Sequence, residues 1–155
     1  MKRKLKITVV LVVAALLSGM VVYDGVRAAM FHITVESVSS NPVPADGKTP
    51  VDIVLKLTDR RGNPVEGHNL FALPKNGGAL RANRVMTDGD GCAHFIYIPY
   101  KLTNLIKLED VVVDVIDESN SVFVEINTRT SFEIQLTPPE EEGKADIDFD
   151  SIFGE

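Results

Sequence analysis

The stretch "VDIVLKLTDRRGNPVEG" runs from Val51 to Gly67. In its first half, Val51, Ile53, Leu55 and Leu57 alternate with Asp52, Val54, Lys56 and Thr58. Successive side chains of an extended chain leave opposite faces, so this is a strand with one buried face. In its second half the chain turns. Asp59-Arg60-Arg61 fits a type I turn, after which Gly62 takes a left-handed conformation without steric cost. Pro64 presets φ and lacks an N–H, which suits a bend or a sheet edge. A half-buried strand ending in such a turn is one arm of an antiparallel sheet.

Working outward, the same period of two recurs. "HITVESV" (32–38) places Ile33 and Val35 inward. "NLFAL" (69–73), "RVMT" (84–87), "AHFIYI" (93–98) and "VVVDVI" (111–116) follow, the last two apolar on both faces as central strands are. "SVFVEI" (121–126) puts Val122, Val124 and Ile126 together, and "SFEIQL" (131–136) does so for Phe132, Ile134 and Leu136. Turn chemistry lies between them in "NPVPADGKTP" (41–50), "NGG" (76–78) and "DGDG" (88–91). "KLTNLIKLED" (101–110) reads as one helical turn or an irregular crossover. Seven or eight short antiparallel strands in about 105 residues predict an all-β sandwich.

Three stretches in order resemble the group 1 bacterial immunoglobulin-like domain, the repeat of the invasin and intimin adhesins. They are "ADGKTPVDIVLKLTD" (45–59), "DRRGNPVEG" (59–67) and "GGAL…TDGDGCAHF" (77–95). The resemblance covers about half of the body. It implies an immunoglobulin-like β-sandwich in an extracytoplasmic setting; it does not imply adhesion by this chain, since function belongs to sites rather than folds. This chain departs from the family in having one domain, no repeat and a longer 101–110 connection.

The N-terminus has its own logic. Lys2, Arg3, Lys4 and Lys6 precede Ile7 to Tyr23, seventeen residues without a charge. Such a helix is about 25 Å long against a bilayer core of about 30 Å. The basic flank stays cytoplasmic, so the body is exported. The expectation is a single-pass anchor through residues 7–23. The alternative is a signal peptide cut near Ala28, in "VRAA". The predicted divisions are 1–28 for this segment, 29–137 for the sandwich, and 138–155 for a disordered acidic tail.

The net charge of −6 divides unevenly. The tail holds seven acids against Lys144, and the first six residues carry +4, which leaves a mildly acidic body. Clustered Lys and Arg with interleaved aromatics are missing, so nucleic acid is not an expected partner. The single cysteine, Cys92, rules out an intramolecular disulfide and a multi-thiolate zinc site.

No catalytic set, cofactor cradle or metal motif emerges. His32, His68 and His94 lack ligand spacing, and Asp88 and Asp90 read as a hairpin turn. "DIDFD" (146–150) lacks the sixth-position glycine of a calcium loop, since Ser151 stands there. The expectation is a non-catalytic envelope protein that binds another protein. Arg60 and Arg61 are candidate contacts, because their turn positions accept most residues; Arg81 and Arg84 join them if the loops meet. Ile147, Phe149, Ile152 and Phe153, apolar among acids, fit a docking peptide. The alternative function is a carbohydrate-binding module, for which Tyr97 and Tyr100 are the platform candidates in a chain without tryptophan.

Overall fold

The structure is a computed structural model that describes residues 2–139. A helix, α1 (Lys2–Ala28), leads into ten strands among those residues. They are β1 (Phe31–Val38), β2 (Val43–Pro44), β3 (Val51–Asp59), β4 (Asn69–Pro74), β5 (Ala79–Leu80), β6 (Arg84–Met86), β7 (Cys92–Ile98), β8 (Val111–Asp117), β9 (Arg129–Ile134) and β10 (Leu136–Thr137). Three of these have two residues each; the other seven match the number expected. One sheet has the order β1-β3-β7-β5 and the other β6-β4-β8-β9, both antiparallel. A short parallel pairing of β10 with β2 completes the set. The predicted immunoglobulin-like sandwich behind a hydrophobic helix is the architecture observed.

The alternation in β3 explains why the sheets meet. Val51, Ile53, Leu55 and Leu57 are all buried, as are Ala93, Phe95 and Tyr97 of β7. Facing them are Leu70 and Ala72 of β4, Val111, Val113 and Val115 of β8, and Ile134 of β9. Full burial of each large aliphatic or aromatic side chain is worth about 1.5–3 kcal/mol. β7 and β8, apolar on both faces, are interior strands of their sheets.

Tyr97 carries its hydroxyl into this core and donates it to the Gly77 carbonyl at 3.2 Å. Burial pushes its phenol up to about 12. The folded value lies above the unfolded one, so this contribution to stability is complete below about pH 10 and is lost as pH rises toward 12. An absorbance titration of the phenolates is expected to show a last step near pH 12 that vanishes in Tyr97→Phe.

Three expectations need correction. Val35 is 39% exposed, because β1 is an edge strand whose register shifts between Val35 and Ser37. "SVFVEI" is a loop: the N–H groups of residues 122–124 serve a carboxylate instead of a ladder, and Glu125 has a positive φ of 32°. "SFEIQL" breaks at Gln135, which moves Leu136 and Thr137 from β8's partner to the edge of β2. The 101–110 connection is the irregular crossover. Leu102 and Leu108 pack on the core, while Leu105 is 97% exposed.

The register defines two ends. β1 starts opposite Asp59, and Leu70, the second residue of β4, pairs with Asp117, the last of β8. The turns after β3, before β7 and after β8 therefore share the end at which α1 arrives, the junction end. The 39–50, 75–78 and 99–110 connections lie at the far end.

Candidate functional site

The last turns of α1 and the 118–128 loop build a specific joint. Residues 6–23 of the helix leave their side chains exposed, and then Asp24 is fully buried. Its Oδ1 accepts the Val122 N–H at 3.0 Å. Its Oδ2 accepts the Phe123 and Val124 N–H groups, each at 2.6 Å. A carboxylate near a helix C-terminus faces the negative end of the helix dipole, so the helix alone disfavours it there. Three charge-assisted N–H bonds from outside the helix reverse that preference.

Of the carbonyls that the helix end leaves unpaired, Gly25 and Arg27 are met by the Ala29 and Met30 N–H groups, and Ala28 by the sandwich. The Thr128 hydroxyl donates to the Ala28 carbonyl at 2.7 Å, and Asn120 Nδ2 holds Thr128 Oγ1 at 2.6 Å. Arg60 Nε donates to the Ala29 carbonyl at 2.8 Å. Tyr23 and Phe123 meet edge to face at 5.7 Å between centroids. The Arg27 guanidinium lies 5.9 Å from the Tyr23 ring centre. A groove of about 610 Å³ opens beside the joint, between Phe31–Thr34 and Asn127–Thr130.

The turn that carries Arg60 and Arg61 is stapled from within. Asp59 Oδ1 accepts the Arg61 and Asn63 N–H groups at 2.7 and 2.9 Å, and Oδ2 accepts Asn63 Nδ2 at 2.9 Å. The Asn63 amide, its backbone N–H and Arg61 hold the Asp59 carboxyl below its ordinary value against the opposing pull of desolvation. The next turn repeats the pattern. Asp88 Oδ1 accepts the Asp90 and Cys92 N–H groups, two and four residues on, and the glycine at the third position again has positive φ. That repetition is the turn reading of "DGDG".

Arg60, proposed from sequence as a partner contact, thus has its Nε committed to Ala29, while Arg61 sits exposed on the same turn. Arg84 is committed too: it forms a two-pronged pair with Glu118 at 2.7 and 3.1 Å and lies 5.0 Å over Phe71. Ile147, Phe149, Ile152 and Phe153 lie outside the described residues. His68 Nδ1 pairs with the buried Asp117 at 2.8 Å, His94 stands 4.0 Å from Asp88, and His32 lies on the β1 edge. Burial and the Asp88 carboxylate push the Cys92 thiol up, the wrong direction for a nucleophile. Among the described residues, no three His, Cys, Asp or Glu side chains converge on a metal position.

Tyr97 is overturned as a carbohydrate platform. Tyr97 is fully buried in the core. Tyr100 is half-buried, and its hydroxyl is spent on the 101–110 loop, where it donates to the Glu109 carbonyl at 3.1 Å and accepts the Glu109 N–H at 2.9 Å. The Tyr97 ring thus presents no face to a sugar, and the Tyr100 hydroxyl is engaged within the chain. What sequence reasoning missed is Asp24 and its loop. The signal was present as a lone acid directly behind seventeen uncharged residues.

No known family profile matches the chain, and no curated protein does. Solved structures similar to it include the D00-D0 domain of intimin, at 17% identity and a TM-score of 0.44 over 66% of this chain and 45% of that one. A C-terminal 282-residue fragment of intimin, in complex with the intimin-binding domain of the translocated intimin receptor, matches at 13% and 0.47 over 66% of this chain and 33% of that one. A conjugative transposon lipoprotein from Bacteroides eggerthii matches at 14% and 0.45, over 68% of this chain and 96% of that one. The chain spans less than half of either intimin fragment. The intimin type that the turns resemble is thus met among solved structures as well, at TM-scores that say nothing about what this chain binds.

Proposed function

We propose that the protein is a non-catalytic, membrane-anchored protein of the bacterial cell envelope that holds one immunoglobulin-like sandwich outside the cytoplasm and binds another protein there. The helix joint carries this reading. A cut near Ala28 would remove Asp24 and leave the N–H groups of Val122, Phe123 and Val124 without their acceptor. A disposable signal peptide has no need of such a joint; a permanent anchor does. The cationic residues 2–6 set the orientation, with the sandwich on the side opposite the cytoplasm.

The partner contacts fit the far end and the tail. Leu105 stands almost wholly exposed on the far-end loop with Ile106 half-exposed beside it, a place for a protein anchor side chain. Arg61 and the apolar residues Ile147, Phe149, Ile152 and Phe153 are the other candidate contacts. One experiment tests both parts. Full-length protein carrying a photo-crosslinking residue at position 105 or 149 is isolated from its native membranes, and its N-terminus is sequenced. An intact N-terminus and one discrete crosslinked protein are expected. An N-terminus at Ala29 would overturn the anchor, and crosslinking to nothing from both positions would overturn the protein partner.

A further inference from the structure

We infer that the 121–124 loop is a membrane-contacting element that seats the junction end of the sandwich in the outer face of the bilayer. Val122, Phe123 and Val124 are 55%, 54% and 42% exposed, a loop run of three consecutive apolar side chains facing solvent, whereas β3 and β8 bury their core-facing residues. Water gives them no reason to be there. Their position supplies one, and it rests on the anchor reading above.

The Asp24 carboxylate ties the backbone of all three to the helix within one residue of Tyr23, the last member of the apolar run. Phe123 packs its ring on Tyr23. The loop therefore lies at the level where the apolar helix ends. For a spanning helix that level is the interface between acyl chains and headgroups, where aromatic rings with one apolar and one wet side gather. Val26 and Met30 are further exposed apolar side chains just beyond this end of the apolar run. The buried carboxylate permits the arrangement. It satisfies three backbone N–H groups that water would otherwise have to serve, so the loop can leave water without a penalty of orphaned donors.

The occupant is lipid. A second protein is the competing source of cover, and pure-lipid vesicles separate the two. The chain has no tryptophan, so a single one reports cleanly. Full-length Phe123→Trp, Val122→Trp, Leu16→Trp and Leu105→Trp variants are reconstituted into phosphatidylcholine vesicles with or without bromine on the acyl chains. Phe123→Trp and Val122→Trp are expected to lose emission by roughly twofold in brominated vesicles, as an interfacial side chain does, alongside Leu16→Trp. Leu105→Trp at the far end is expected to stay unquenched. If Leu16→Trp is quenched and both loop variants are not, the inference falls while the anchor stands. Quenching in none of the four overturns the anchor as well. Equal quenching at Leu105 would show a domain lying against the membrane without this seat, which also overturns the inference.

Discussion

In the Asp24→Ala variant, amide exchange at Val122, Phe123 and Val124 is expected to rise on the order of a hundredfold, while the amides of β3 and β7 keep their protection. The asymmetry follows from what holds each part. β3 lies between β1 and β7 in the middle of a hydrogen-bonded sheet with a buried face. The 122–124 segment has no ladder; its three N–H groups all end on one carboxylate. Alanine leaves three donors facing a methyl group where the loop and helix shut out water. Asp24→Asn is expected to do less harm. Its remaining oxygen can serve Phe123 and Val124, while its NH2 group opposes Val122. Exchange measured on full-length protein in lipid nanodiscs checks both. Unchanged rates in Asp24→Ala would mean that the joint does not hold the loop.

Gly91→Ala is the second large effect, with an expected loss of about 3 kcal/mol. Gly91 has a φ of +74°, and a Cβ there would stand 2.6 Å from the Leu57 carbonyl oxygen and 3.0 Å from the Val65 nitrogen. Those neighbours are backbone and cannot swing away. The Gly91 carbonyl itself accepts the Leu57 N–H at 2.8 Å, and Leu57 in turn accepts the Val65 N–H at 3.1 Å. Relief by movement would therefore break the Val65 bond that closes the "GNPV" bend. In a domain of this size the melting temperature is expected to fall by roughly 10–20 °C. Gly89, two residues away in the same turn, has open space around it and no left-handed φ. Gly89→Ala is expected to change stability by less than about 0.5 kcal/mol. Similar losses in both variants would count against the close packing of the two turns.

Much of this fold was readable from the chain because its information is local. The alternation in Val51–Leu57 names a buried face whatever lies opposite. Asp59-x-x-Gly62 and Asp88-x-x-Gly91 name turns that close on their own side chains. The resemblance to the invasin and intimin repeats rested on those same turns, which explains why it pointed to the right architecture. What failed was non-local. "SVFVEI" has the composition of a strand, yet its backbone donors meet a carboxylate about a hundred residues earlier in the chain. Alternation cannot report a partner that distant. Tyr97 failed for a related reason: a tyrosine at a strand end reads as a platform until the opposing sheet is in place to bury it. The site was half legible. The turn with Arg60 was marked from sequence, but its tie to the Ala29 carbonyl appears only once β1 and β3 are paired.

The parallel pairing of β10 with β2 has a mechanical meaning. The chain enters from α1 at the junction end, and β10 leaves at the far end, running in the same direction as β2. Hold the N-terminus in a membrane and pull on the C-terminus, and β2 is drawn one way while β10 is drawn the other. Force then runs along the two strands, not across them. The Val43 N–H bond to Gln135 and the Ala45 N–H bond to Thr137, both 2.9 Å, must yield together and not one after another. Under a load applied in that way, these two residues of strand would act as a shear clamp between the β2 connection and the chain's exit from β9.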